Sequence, residues 1–288
     1  AIKAARKWGY TIKGVAPLQA EIIVCNGNFH GRTTTVISFS SEEEYKEGFG
    51  PFTPGFKLIP YGDAEALEAA ITPNTVGFLV EPIQGEGGVI VPPEGYLGRV
   101  REICTANNVL MMADEIQTGF CRTGKRLCCQ HDDVTPDMVM LGKALGGGVY
   151  PVSAVASTKE ILGVFRPGDH GSTFGGNPLA AAIGREALRV FLDEELDVRT
   201  EELGKYFRGA LREMNSPMVK VVRGKGLLIG VQLTPEAGGA RGPCEQLMER
   251  GLLCKETHED VIRFAPPLVI TRDEIDQAMA HVKAVLCS

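Results

Sequence analysis

The chain has 288 residues, 44% of them hydrophobic, and a formal net charge of −6, an ordinary globular composition long enough for two domains. The mildly acidic balance argues against nucleic acid or an anionic membrane as the main partner. No apolar stretch reaches the roughly 18 residues of a membrane span, and Ala1–Lys7 lacks the apolar core of a signal peptide. Eight cysteines without a CxxC pair and five histidines without an HExxH pattern predict free thiols in a reducing compartment and no metal.

Ala1 to Trp8 reads as the interior or end of a helix with no cap before it, so a natural N-terminal portion is expected to be missing. From Glu21 to Ser157 strands and helices alternate. Glu21–Cys25 reads as a strand, Asp63–Ile71 as a short helix capped by Asp63, and Val76–Val80 as a buried strand ending at Glu81-Pro82. Gly95–Asn107 is predicted helical from apolar Leu97, Val100, Ile103 and Cys104. Val109–Ala113 reads as a strand running into Asp114-Glu115, Met138–Leu141 as a strand, and Val152–Ala156 as another. Strands alternating with helices imply a parallel sheet covered on both faces.

The texture changes near Pro178. A long helix is expected over Pro178–Leu196, with proline at its start, and a second over Val198–Met214. Val219–Val222 and Leu227–Leu233 read as antiparallel strands around a Gly-rich turn. A helix at Cys244–Arg250, a strand at Val261–Phe264 and a final helix over Arg272–Leu286 complete an α+β unit. The expected division is a large domain over residues 1–182 and a small one over 183–288.

Two of these strands carry chemistry. One ends in the carboxylate of Asp114, and the other runs into Gly142-Lys143-Ala144. In open α/β sheets ligands bind outside the carboxyl ends of the strands. A fixed acid and a desolvated lysine on one rim suit pyridoxal phosphate chemistry. Taken alone, a lysine in a Gly-rich turn is most often a solvated surface residue. Asp114-Glu115 is equally a magnesium-holding pair of a nucleotide hydrolase, but that reading needs a Gly-Lys-Ser or Gly-Lys-Thr phosphate loop. Here Gly142-Lys143 runs into Ala144 and Gly224-Lys225 into Gly226.

Several motifs then occur in order: Glu81-Pro82-Ile83-Gln84-Gly85-Glu86-Gly87-Gly88, Ala113-Asp114-Glu115-Ile116-Gln117-Thr118-Gly119, Arg122-Thr123-Gly124, Leu141-Gly142-Lys143-Ala144, and Gly171-Ser172-Thr173-Phe174-Gly175-Gly176-Asn177-Pro178. Over essentially its whole length the chain resembles the class III, fold-type I pyridoxal-phosphate aminotransferases. Phe29-His30-Gly31-Arg32-Thr33, Gly48-Phe49-Gly50-Pro51-Phe52, Pro151–Val155 and Ile262–Leu268 resemble the branch that moves the δ-amino group of ornithine to 2-oxoglutarate.

That resemblance implies the fold: a mainly parallel α/β large domain with a C-terminal α+β small domain. It also implies roles. Lys143 is the Schiff-base lysine, and Asp114 holds the pyridine nitrogen protonated. Gln117 bonds the ring hydroxyl, while Phe29 and Ile116 pack the two ring faces. Ser172 and Thr173 contact the phosphate across a subunit interface, which implies a homodimer or larger homo-oligomer. Arg263 binds the α-carboxylate of 2-oxoglutarate, Glu86 masks that arginine when ornithine is the donor, and Arg32 binds the α-carboxylate of ornithine. The products are glutamate 5-semialdehyde and glutamate. Three readings stay open at this point: ornithine as donor, N-acetylornithine or 4-aminobutyrate as donor, and a non-catalytic binding protein built on this fold. The compartment, cytoplasm or mitochondrial matrix, is open as well.

Overall fold

A computed structural model describes residues 1–287. The chain divides into two compact units. The first comprises residues 1–82, 92–117 and 129–189. The second comprises residues 83–91, 118–128 and 190–288. Two short excursions that a contiguous division would give to the first unit therefore cluster with the second.

The first unit opens with helix α1 (Ile2–Trp8), which passes without a break into a π-helical turn over Gly9–Lys13. Its sheet is built from β1 (Glu21–Cys25), β2 (Phe56–Ile59), β3 (Thr75–Val80), β4 (Leu110–Asp114), β5 (Met138–Leu141) and β6 (Ala154–Ser157), in the spatial order β2-β1-β3-β4-β5-β6. Strands β1 to β5 pair in parallel. β6 pairs antiparallel with β5, so the sheet is mainly parallel, as expected. The cause of the antiparallel pairing is local: the connection between them holds a 3-10 turn over Lys143–Gly146 and loop, with no α-helix of the kind that usually carries a parallel crossover.

Helices α2 (Thr34–Ile37), α3 (Ala64–Ala70), α4 (Tyr96–Ala106), α5 (Lys159–Leu162) and α6 (Pro178–Asp193) follow the chain. Asp63 caps α3 as predicted, its carboxylate accepting from Ala66 N at 2.8 Å. The strands are apolar on both sides because both faces are covered. Ile23, Phe78, Val80, Met111 and Ala113 pack with Leu67, Leu97, Val100 and Ile103. Their neighbours Ile22, Val24, Val76, Leu110 and Met112 pack with Ala4, Ala5, Trp8, Phe39 and Ile161. This is the period-two alternation of a strand expressed as two cores.

The second unit holds helix α7 (Leu196–Glu213), strands β7 (Val219–Lys225) and β8 (Leu228–Leu233), helix α8 (Arg241–Glu249), strands β9 (Lys255–Thr257) and β10 (Val261–Phe264), and helix α9 (Arg272–Leu286). The strand β9 carries no apolar alternation and was not legible in the sequence. The sheet is antiparallel with order β7-β8-β10-β9. Thr271 and Glu274 form a reciprocal capping box at the start of α9. One sheet face presents Ile229, Val231, Leu233, Ile262 and Phe264 to Phe207, Leu247, Ile275, Met279 and Val282. The other face carries Leu228, which packs with Ile83, Val89 and Cys128 of the two excursions. Gly230 leaves that face thin: a Cβ there would sit 2.9 Å from Val89 Cβ. Arg223 fixes the excursion further by donating to the carbonyls of Gly88 and Val89 at 2.7–3.1 Å.

Candidate active site

Five parallel strands end on one edge of the first unit's sheet, and the segments that leave that edge carry its polar groups. β1 is followed by Asn28, Phe29 and His30, β3 by Glu81, β4 ends at Asp114, and β5 is followed by Lys143. Asp114 pairs in register with Met140, which places the Lys143 turn beside the carboxylate's strand.

Asp114 is buried. Its Oδ1 accepts from the backbone N–H of Ile116 at 3.1 Å, and its Oδ2 lies 2.7 Å from His30 Nδ1. The His30 ring is buried as well, and its Nε2 has no hydrogen-bond partner. Burial is the largest influence on this imidazole and pulls its pKa down. The hydrogen bond to Asp114 and the charges of Glu81 and Asp114 together outweigh it, so the pKa is raised above 6.5. A raised imidazole against a buried carboxylate is a charge-assisted pair, and it orients the Asp114 oxygens. His30 was not singled out as a site residue from the sequence. The available signal was its place directly after a strand that shares an edge with Asp114.

Glu81 accepts from the backbone N–H of Phe29 at 2.9 Å, which holds the Phe29-His30 segment to the edge. Phe29 is half-buried and meets Tyr45 edge to face, with ring centroids 6.0 Å apart. Arg32 is exposed, and its guanidinium lies 3.7 Å from the Tyr45 ring centroid. Arg32, Thr34, Ile37, Glu44, Tyr45 and Phe49 line a cleft of about 280 Å³. Ile116 and Gln117 are half-buried in the turn after β4.

Lys143 opens the 3-10 turn with a left-handed backbone, φ 45°. A desolvated amine is expected from the sequence, but Lys143 is exposed in the folded chain. The turn itself is anchored by Leu145, which is buried and packs at Gly184 of α6. Ser172 and Thr173 are exposed, and Ser172 Oγ accepts from Gly175 N at 2.9 Å within its own loop.

The donor set fits pyridoxal phosphate on two sides of the ring. A buried carboxylate steadied by a hydrogen bond to a buried imidazole suits a ring nitrogen that must keep its proton, and a primary amine on the same edge suits an aldehyde.

The second unit carries the remaining predicted pair. Gln84 and Ile90 pair antiparallel, and Glu86 sits near the tip of this small hairpin. Arg263 lies on β10 between Ile262 and Phe264, which face the apolar core; alternation therefore turns Arg263 toward the opposite face. There its Nη1 donates to Glu86 Oε1 at 2.7 Å. Lys255 on β9 is the register partner of Arg263 and donates from Nζ to Glu86 Oε2 at 3.0 Å. Thr257 Oγ1 donates to the Glu86 carbonyl and pins the hairpin tip. Burial alone would push the Glu86 carboxyl upward, and it is the largest single influence. The bonds and charges of Arg263 and Lys255 overcome it and lower the pKa to about 2. Arg122 serves a structural end: it donates to the carbonyls of Pro266 at 2.6 Å and Leu227 at 3.2 Å, and burial lowers its pKa to about 10.

The family model for class-III aminotransferases matches residues 1–286. Ornithine aminotransferases of Brevibacillus brevis and of Bacillus subtilis are each 61% identical to the chain over 286 residues, which is 99% of this chain and 71% of each relative. A solved structure of the ornithine aminotransferase from Toxoplasma gondii superposes with a TM-score of 0.97 at 49% identity, covering 99% of this chain and 69% of that one.

Proposed function

The chain belongs to the class-III aminotransferases, and on that footing we propose that it moves the δ-amino group of ornithine to 2-oxoglutarate, giving glutamate 5-semialdehyde and glutamate. The observation that carries the chemistry is the buried Asp114–His30 pair on the same strand edge as Lys143. The choice of ornithine draws on the curated relatives at 61% identity.

Pyridoxal phosphate, when bound, supplies an aldehyde to take up the amino group and a ring that accepts electrons from the substrate carbon. Lys143 Nζ is the amine assigned to hold the cofactor covalently. As a free base it would move the proton between the δ-carbon of the donor and the cofactor carbon that carried the aldehyde oxygen. Asp114 keeps the ring nitrogen protonated. His30, through its hydrogen bond to Oδ2, stops the carboxylate from rotating. Gln117 is assigned to the ring hydroxyl, Phe29 and Ile116 to the ring faces, and Ser172 and Thr173 to the phosphate of a second copy in a homodimer.

The substrates differ in length and charge, and the enzyme needs to present opposite ends of them. Arg32 is assigned to the α-carboxylate of ornithine, which leaves the δ-amine to react. Arg263 is assigned to the α-carboxylate of 2-oxoglutarate, and Glu86 occupies that arginine while ornithine is bound. A bidentate arginine fork gives the carboxylate a fixed orientation.

The test is a comparison of the purified enzyme on ornithine, N-acetylornithine and 4-aminobutyrate, each with 2-oxoglutarate. Ornithine is expected to give the highest kcat/KM. Preference for either of the others would reassign the donor, and absence of turnover on all three would leave only a binding role. Borohydride reduction followed by peptide mapping is expected to place the label on Lys143.

A further inference from the structure

β9 and β10 set two cations directly opposite one another on one face of the second unit's sheet. Lys255 and Arg263 are register partners in an antiparallel pair, and like charges in that position repel. Glu86 resolves the repulsion by dividing its carboxylate: Oε1 takes Arg263 at 2.7 Å and Oε2 takes Lys255 at 3.0 Å. Arg263 is the more enclosed of the two, with 15% of its side chain accessible against 60% for Lys255.

We infer that Lys255 is a specificity-determining residue: it receives the Glu86 carboxylate when 2-oxoglutarate takes Arg263. This rests on the proposed gate, in which Glu86 must leave Arg263 for the second half-reaction. Leaving a half-buried carboxylate without a cation beside an incoming carboxylate is costly. With Lys255 present the four charges regroup as two neutral pairs, Arg263 with the substrate and Lys255 with Glu86. Glu86 need not cross solvent to do so, because one oxygen is already on Lys255. The hydroxyl of Thr257 keeps the Glu86 backbone in place, so the exchange is confined to the side chain. Ornithine makes no demand on Arg263, so this device bears on one half-reaction only.

The experiment uses the pyridoxal-phosphate-loaded enzyme and four variants: Lys255→Met, Lys255→Arg, Glu86→Ala, and Lys255→Met with Glu86→Ala. Each half-reaction is followed separately, and the Kd of glutarate, a diacid with no keto group to react, is measured by calorimetry. Lys255→Met is expected to raise the 2-oxoglutarate KM and the glutarate Kd about three- to fivefold, the scale of a partly exposed ion pair. The ornithine KM should move by less than about twofold, and Lys255→Arg should restore glutarate binding. In the Glu86→Ala background the Lys255 effect should vanish, since the two act through one carboxylate. If Lys255→Met leaves glutarate binding unchanged while Glu86→Ala alters it, the role of Lys255 is overturned and the gate stands. If Glu86→Ala itself alters neither glutarate binding nor glutamate use, the gate fails and this inference with it. Equal losses in both half-reactions would make Lys255 merely structural, which also overturns the proposal.

Discussion

His30 Nδ1 lies 2.7 Å from Asp114 Oδ2, and 84 residues of chain separate the two. Both side chains are nearly sealed from solvent, with 4% and 8% accessible. The contact joins the loop after β1 to the end of β4, so it fixes the site's carboxylate to a second strand end.

His30→Phe should weaken cofactor binding about tenfold or more, because a hydrogen bond between charged groups contributes roughly 1.5–3 kcal/mol. Equilibrium dialysis of pyridoxal phosphate checks this, and His30→Gln should recover part of the loss by restoring a donor. An unchanged dissociation constant in His30→Phe would rule out the positioning role.

The same pair sets a pH dependence. The folded pKa of His30 is raised above 6.5, so its stabilisation is fully present below about pH 6.5 and is lost as pH rises through the raised value. The stability difference between the parent and His30→Phe, measured by denaturant unfolding, should therefore shrink from pH 6 to pH 9. A difference that grows over that range has the wrong sign for this arrangement.

For Glu86 the sign is opposite. Its pKa falls from 4.5 to about 2 in the folded protein. Its contribution is present above pH 4.5 and is lost as pH falls toward 2. Glu86→Gln should flatten the acid side of the stability profile relative to the parent. In kinetics, Glu86→Ala should raise kcat/KM for glutamate as a donor about tenfold, equivalent to 1.4 kcal/mol, because Arg263 is then always open to an α-carboxylate. Unchanged glutamate kinetics would remove Glu86 from the gate.

Lys143→Ala should lower turnover about a thousandfold or more through loss of the proton-moving amine. The borohydride-reducible label should disappear with it. Because Lys143 is exposed, unfolding of the apo protein should be shifted by no more than about 0.5 kcal/mol. Retained labelling in this variant would place the covalent attachment elsewhere.

Two glycines of α7 should respond in opposite directions. A Cβ at Gly204 would fall 2.1 Å from the Gly226 carbonyl oxygen, so Gly204→Ala should destabilise by about 1–3 kcal/mol. Gly209 has no atom within 4 Å of that position, and Gly209→Ala should stabilise by up to about 1 kcal/mol. Denaturant midpoints of the two variants decide it; a stable Gly204→Ala would mean that the helix does not pack this closely on the β7–β8 turn.

The linear sequence determined the elements whose local pattern is strong. Val76–Val80 and Met138–Leu141 are apolar runs bounded by turn residues, and β3 and β5 form there. The spacing of Leu97, Val100, Ile103 and Cys104 gave α4, and the capping residue Asp63 gave the start of α3. Asp114 and Lys143 were legible because each follows such a run, and parallel strands bring their carboxyl ends to one edge. The tertiary structure decided what depends on partners distant in the chain. β9 is three residues long, Lys255–Thr257, and has no pattern of its own; it is a strand because β10 offers it hydrogen bonds. The pairing of His30 with Asp114, and of Lys255 with Glu86, joins residues 84 and 169 positions apart, and no local propensity encodes either contact. The exposure of Lys143 was likewise outside its reach, since solvent access is set by what packs over a residue rather than by what precedes it.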